Sequence, residues 1–347
     1  MSKIAEEYKA RQAAKLDPTL HQQKAPPGYH LQSATTLRDA DGNVKLTWHK
    51  TTKEGENLEA LLNSFEQAVD ARDLPKAKKI AAPKTCDKDL LTIYPWGDPH
   101  IGMLAWPLET GNDFNLSIAT AQLFQAVDKL VDAAPASEEA LIINLGDFFH
   151  SDNMQNRTAR SGHALDVDSR WAKILDAGVA VAVRCVKRAL QKHKKVSVDN
   201  RIGNHDDHSS IFLATCLRSH FAENPRVHVN PSANMFYYKE FGANLIGSTH
   251  GHTVKPDKLP GVMAADQREA WGRTQHRYWY TGHVHHESKK EYPGCIVETF
   301  RTLAARDAWH NGQGYRAGRS MVCDVIHSKH GRVLRHEIGV EALRNNS

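Results

Sequence analysis

The sequence predicts an α/β layered fold with a small N-terminal extension, on three observations. An apolar, strand-like run closed by a polar turn recurs five times along the chain. Long amphipathic segments separate several of these units, the alternation expected of strands and helices stacked in layers. The first 85 residues differ in character and end in a lysine- and proline-rich stretch.

The elements follow in order. A charged lead-in and "APPG" precede "YHLQSATTLRDADGNVKLTWHKT", which reads as a hairpin around Asp41-Gly42. A helix is expected in "NLEALLNSFEQAVDARD", where Leu58, Leu61, Leu62, Phe65 and Val69 fall at helical spacing. "LPKAKKIAAPKTCDKD" reads as a solvated linker, dividing an extension (1–85) from a main domain (86–347). There the strands "LLTIYPW", "EALIINL", "KVSVDNRI", "ANLIGS" and "RYWY" each run into a polar cluster. Helices are expected over 116–132, 166–192 and 210–221, and "SMVCDVIHSKHGRVLRHEI" reads as two strands that complete a second sheet.

Composition narrows the class. With 40% hydrophobic and 24% charged residues the chain suits a soluble globular protein and excludes a disordered one. A net charge of +5 permits a polyanionic partner without demanding one. The five cysteines show no CxxC spacing, which fits reduced thiols in a cytoplasmic protein. No signal-peptide core is visible and no run approaches the roughly 18 apolar residues of a membrane span, so no membrane association is expected. The anomaly is 21 histidines, histidine being the commonest metal ligand.

Those histidines gather at the strand ends. "GDPH" supplies Asp98 and His100, "GDFFH" Asp147 and His150, and "GNHDD" Asn204, His205, Asp206 and Asp207. "STHGH" adds His250 and His252, and "GHVHH" adds His283, His285 and His286. Singly, most of these have ordinary readings as turns, caps or surface histidines. The last is sharper, because strand alternation sends His283 and His285 to one side, where two ring nitrogens converge. Together the clusters lie where α/β folds collect ligands, at the carboxyl ends of strands. Their mixed oxygen and nitrogen donors suit Mn²⁺, Fe²⁺ or Zn²⁺, and the lack of cysteine argues against a thiolate site. One ion would leave donors unused, whereas two ions sharing a carboxylate would employ seven.

The ordered series Asp98-x-His100, Gly146-Asp147, Gly203-Asn204-His205-Asp206, His250-Gly251 and Gly282-His283-x-His285 resembles the calcineurin-like metallophosphoesterase superfamily across roughly residues 90–300. Its second block is more similar to the DNA-repair exonuclease branch than to the protein phosphatases. The segment "GYHL...DADGNVKLTW" resembles parts of phage-encoded relatives. The resemblance implies a β-sandwich of two mixed sheets flanked by α-helices, holding two divalent ions, Mn²⁺ first, with Fe²⁺, Zn²⁺ or Mg²⁺ as alternatives. It implies that Asp98, His100 and His285 hold one ion, that Asn204, His250 and His283 hold the other, and that Asp147 bridges them. In-line hydrolysis by a hydroxide between the ions is the implied reaction. His205 is the implied general acid, with His150 assisting it or contacting phosphate. Asp206 fits the family pattern and is expected to hold an imidazole in its productive tautomer, with Asp207 a further candidate. His252 and His286 are expected to be neighbours of the site and not ligands.

For substrate, the loop "DNMQNRTARSGH" offers Arg157 and Arg160, and "GRTQHRYWY" interleaves Arg273 and Arg277 with aromatics, a pattern suited to phosphate contact and base stacking. The same stretches read equally as a solvated loop and a strand with core aromatics, so it is the resemblance of the second block to the nuclease branch, with the mildly basic charge, that implies nucleic acid as substrate, cleaved at its phosphodiester bonds. The alternatives are a phosphodiesterase or phosphomonoesterase for nucleotides or cyclic nucleotides, and an inactive docking protein. In either case residues 1–85 are the candidate segment for a partner or a second copy of the chain.

Overall fold

In a computed structural model the described residues are 29–39, 41–53, 80–158 and 161–343. The chain divides into two compact units, Met1–Lys78 and Lys79–Ser347. In the first unit β1 (Tyr29–Arg38) and β2 (Val44–Lys53) form an antiparallel hairpin. Asp39 Oδ1 accepts the main-chain N–H groups of Asp41 (3.1 Å) and Asn43 (2.8 Å), and Gly42 supplies the positive φ the turn requires. The helix expected near Leu58–Val69 lies outside the described residues.

The second unit runs β3 (Asp87–Trp96), α1 (Pro107–Thr110), α2 (Leu116–Ala133), β4 (Ser137–Asn144), α3 (Trp171–Lys192), β5 (Lys195–Asn200), α4 (Ser209–Phe221), β6 (Val227–Val229) and β7 (Tyr237–Phe241). It continues with β8 (Asn244–Thr249), α5 (Leu259–Asp266), α6 (Arg268–Arg273), β9 (His276–Thr281), β10 (Ser288–Tyr292), β11 (Cys295–Thr299), α7 (Ala308–Gly312), β12 (Ser320–His327) and β13 (Gly331–Gly339). One sheet has the order β13-β12-β3-β4-β5-β6, the other β10-β11-β9-β8-β7. Both are mixed: β3 to β6 are parallel, as are β8, β9 and β11, and the outer strands β7, β10, β12 and β13 pair antiparallel. Two mixed sheets flanked by helices is the architecture the sequence predicts.

Alternation along the strands builds the layers. Leu91, Ile93, Leu141 and Ile143 meet Ile246, Tyr278 and Tyr280 between the sheets. The opposite side chains, Tyr94, Trp96, Ala140 and Ile142, pack with apolar residues of α2, α3 and α4. The outer face of the second sheet, with Leu245, Trp279 and Val297, is covered by Leu259, Met263 and Ala270 of α5 and α6. In β4 the run Ala140–Ile143 is continuously apolar, as expected of a parallel strand buried on both faces. Among the described residues no helix is long and apolar enough to cross a membrane.

Two expectations need correction. The C-terminal strands β12 and β13 extend the sheet of β3, with Asp324 opposite Ile93, while β10 and β11 complete the second sheet. Helix α3 begins at Trp171, five residues later than expected. The preceding chain is captured by the segment after β3: Leu104 N–H donates to Asp166 O, and Asp168 N–H to Gly102 O. Asp168 also accepts the N–H of Leu116 at the start of α2.

Candidate metal centre

Five parallel strands deliver the site. β3 ends before Asp98 and His100, β4 before Asp147, β5 before Asn204 and His205, β8 before His250, and β9 before His283 and His285. The two sheets thus bring their carboxyl ends together. Asp98, His100, Asp147 and His250 are buried; Asn204 and His285 are half-buried; His283 is exposed, at the solvent side.

The backbone is strained where the donors sit. Among the described residues six non-glycine residues have positive φ, and five are Asp98 (46°), His100 (46°), Asp147 (49°), His283 (72°) and His285 (56°). Each such conformation costs on the order of 1–3 kcal/mol and concentrates at functional sites. Two glycines make room for the carboxylates. A Cβ on Gly203 would stand 2.0 Å from Asp147 Oδ1, and one on Gly282 would stand 2.5 Å from Asp98 Oδ2.

The donors form overlapping groups. Within each group, one ligating atom per residue lies within 4.8 Å of the others: Asp98, His100 and His285; Asp147, His250 and His283; and His100, His150 and His205. His250 joins the first two, its Nε2 3.2 Å from Asp147 Oδ2 and its Nδ1 3.7 Å from Asp98 Oδ1. Asn204 Oδ1 lies 3.0 Å from His250 Nε2. All seven residues that the resemblance implies as ligands are therefore gathered in one place.

Burial and mutual charge set their protonation. Burial pushes Asp98 up to about 8, and the charge of Asp147 adds to it. Burial also raises Asp147, but the imidazoles of His250, His205 and His100 hold it well below the usual carboxylate range. Burial lowers His250, yet Asp147 and Asp98 draw it up to about 9. Its Nδ1 faces the Leu145 carbonyl at 2.9 Å, which can only accept, so the second proton sits on Nε2 among oxygen acceptors. Burial and neighbouring imidazoles keep His100 well below its ordinary value and His285 down to about 3. Neutral imidazoles, carboxylates and an amide oxygen around a proton that a cation can replace are a fitting donor set for divalent metal.

Three further groups frame the centre. His205 Nδ1 lies 2.9 Å from the His150 carbonyl, so it donates there and leaves Nε2 for the site. Its ring stacks on that of His150 at 5.2 Å. His150 is buried and held down to about 3 by burial, then by His205. Its Nδ1 lies 3.2 Å from His100 Nδ1, while its Nε2 has no protein partner among the described residues.

Asp206 corrects an expectation. Among the described residues it holds no imidazole; its carboxylate accepts four main-chain N–H groups, from Asp147 (3.2 Å), Phe148 (2.8 Å), Phe149 (3.2 Å) and Gly203 (3.0 Å). It clamps the β4 and β5 turns together. Asp152 works similarly, accepting the N–H groups of His208 and Ser209 where α4 begins. Asp207 is half-buried. His252 packs 5.1 Å from the His250 ring, and His286 is exposed with Nδ1 facing the Val284 carbonyl.

The basic residues named from sequence are placed apart from these donors in character. Arg157 is exposed and donates to the Gly162 carbonyl; Arg160 lies outside the described residues. Arg273 pairs with Glu240, and Arg277 donates to the Trp271, Thr274 and Gly294 carbonyls. Tyr278, Trp279 and Tyr280 are buried, so that stretch is structural and presents no stacking surface. Sequence reading missed His310, whose ring stacks on His285 at 4.8 Å with planes 25° apart. Only its place three residues after Asp307 hints at the pair they form, Nδ1 to Oδ1 2.7 Å.

No protein-family model and no curated protein matches the sequence. Solved structures do resemble it. A predicted phosphoesterase from Streptococcus pneumoniae is 12% identical, covering 72% of this chain and 98% of its own, with a TM-score of 0.28. Vacuolar protein sorting 29 from Cryptosporidium parvum is 15% identical, covering 73% and 100%, with a TM-score of 0.31. The phosphopantetheinyl hydrolase of Mycobacterium tuberculosis is 11% identical, covering 66% and 94%, with a TM-score of 0.30.

Proposed function

We propose that the chain is a metallophosphoesterase of the calcineurin-like superfamily that hydrolyses phosphodiester bonds, with nucleic acid as its substrate. The observation that carries this reading is the convergence of Asp98, His100 and His285 with Asp147, His250 and His283 at the facing ends of two sheets. With Asn204 they would hold two divalent ions, Mn²⁺ first among them, and Asp147 would be the carboxylate shared between them. Such ions supply Lewis-acid chemistry, polarising a phosphoryl oxygen and lowering the pKa of water.

The chain's own residues do the rest. His100 turns Nε2 toward the metal donors, so its Nδ1 carries the proton and donates to His150 Nδ1. The His150 proton is then on Nε2, a buried donor with no protein acceptor, ready for a phosphoryl oxygen. His205, anchored through Nδ1, gives its Nε2 proton to the leaving oxygen when protonated. Asp206 fixes the turns that carry Asp147 and Asn204. Arg157 is a candidate contact for a more distant phosphate. The cytoplasm is the proposed compartment, and the first unit the proposed docking segment.

The test is metal content together with a substrate panel. Chain purified with Mn²⁺ should retain about two ions and cleave bis(p-nitrophenyl) phosphate faster than p-nitrophenyl phosphate, and should cut DNA strands. No bound metal and no turnover would reject the enzyme; a preference for the monoester with no strand cut would reject the nucleic-acid substrate.

A further inference from the structure

The segment between β11 and β12 places an aromatic group beside the metal centre. His310, stacked on His285, is fixed by Asp307 Oδ1, which accepts from its ring Nδ1 (2.7 Å) and its main-chain N–H (2.8 Å). Trp309 packs edge-on against His310 at 4.9 Å and stands 5.9 Å from Tyr315. Yet Trp309 remains 53% exposed. Asn311 Nδ2 donates to the Glu109 carbonyl at 3.0 Å and so joins α7 to α1, where Trp106 is 57% and Leu108 83% exposed. Single surface apolar residues are unremarkable, but grouped ones mark a contact surface.

Charge specifies the partner. Arg306 Nη1 and Arg316 Nη1 lie 3.2 Å and 2.8 Å from the same Tyr315 carbonyl oxygen. Neither guanidinium pairs with a carboxylate among the described residues. Two cations drawn to one carbonyl repel each other, and an anion between them relieves that repulsion. An exposed indole against the Tyr315 ring, with two guanidiniums on the Tyr315 carbonyl and two ring contacts from a candidate metal ligand, matches a flat base joined through one ribose to phosphates.

We propose that Trp309 is a nucleobase platform: its indole stacks on the base next to the phosphoester at the metal centre, and Arg306 and Arg316 hold a neighbouring phosphate. This rests on the phosphoesterase reading and narrows its substrates to nucleotidyl esters, in a strand or as single nucleotides. The test compares kcat/KM of the Mn²⁺-loaded full chain for thymidine 5′-(p-nitrophenyl phosphate) and methyl p-nitrophenyl phosphate, which release the same nitrophenolate. The nucleotide-to-methyl ratio should fall about tenfold in Trp309→Ala, within the range that base stacking supplies, and largely recover in Trp309→Phe. An unchanged ratio overturns the platform.

If the wild type cleaves neither ester, the phosphoesterase reading fails by itself, and binding then judges the platform. The Kd for a fluorescein-labelled decathymidylate, read by anisotropy, should weaken several-fold in Trp309→Ala; an unchanged Kd overturns the proposal. Weakening by Arg306→Gln and Arg316→Gln for the decamer but not for thymidine monophosphate identifies a strand as the occupant. Equal weakening for both identifies a single nucleotide.

Discussion

His100 Nε2 lies 3.0 Å from His285 Nε2, and both rings are neutral at pH 7. Two lone pairs cannot face each other at that distance, so one nitrogen keeps a proton until a cation replaces it. Metal should therefore stabilise the fold by mass action, by about 2.7 kcal/mol at a hundredfold excess over Kd. Melting curves across a Mn²⁺ titration, begun from chelator-treated protein, should show a midpoint that climbs with concentration. A midpoint indifferent to metal would mean that these nitrogens meet for another reason.

On the proposed reading Asp147 would be the ligand that two ions share. Asp147→Ala should abolish metal retention and turnover together, read by metal analysis and p-nitrophenolate release. Gly203→Ala should do nearly the same with every ligand intact, because its Cβ would fall 2.0 Å from Asp147 Oδ1 and 2.2 Å from the Asp147 nitrogen. Wild-type metal content in Gly203→Ala would show that the two turns need not approach so closely.

His205→Ala should keep its metal and lose about 10²–10⁴-fold in rate, the usual contribution of a general acid. The loss should shrink for p-nitrophenolate esters, whose leaving group needs no proton, and grow for alkyl esters. An equal loss across leaving groups would make His205 a phosphate contact instead.

Why was so much of this legible in sequence? The five strand-end clusters declare themselves because strand period and donor type are both local, and β3, β4, β5, β8 and β9 are buried right up to them. What stayed hidden depends on partners far along the chain. A carboxylate that binds main-chain N–H groups leaves no mark on its neighbours, so Asp206 resembled an imidazole partner. Arg277 beside aromatics reads alike whether it meets phosphate or carbonyls, and only the Trp271, Thr274 and Gly294 oxygens decide. His310 is one histidine in a loop until the fold lays it on His285.

The sheets are also tied by charge. Glu298 of β11 and Asp324 of β12 share Arg332 and Arg335, and Tyr280 Oη donates to Asp324 at 2.7 Å. Asp324→Ala leaves two largely buried guanidiniums short of a partner and should cost about 3–5 kcal/mol in urea denaturation. A loss under 1 kcal/mol would show that Glu298 alone satisfies both arginines.

Away from the metal centre, His193 offers a pH dependence that can be isolated. The Ser137 N–H points at its Nδ1 (3.3 Å) and can only donate, so Nδ1 accepts and the ring's proton lies on Nε2, toward Tyr94 Oη at 2.8 Å. Burial, then the charges of Lys192 and Arg188, depress His193 from 6.5 to about 3. A histidine depressed in the folded state stays neutral there while the unfolded chain takes up a proton. Its contribution is complete above pH 6.5 and is lost as pH falls toward 3. His193→Gln keeps a donor and an acceptor but cannot titrate, whereas groups at the metal centre titrate in both proteins and cancel. The stability difference, wild type minus variant, should be flat above pH 6.5 and should drop by about 1.4 kcal/mol per pH unit below it. Denaturant midpoints between pH 7.5 and pH 4.5 give that difference directly, on about that scale. If it stays level through the acid range, the folded protein accommodates a charged ring at His193, and the Ser137 contact cannot be the hydrogen bond drawn here.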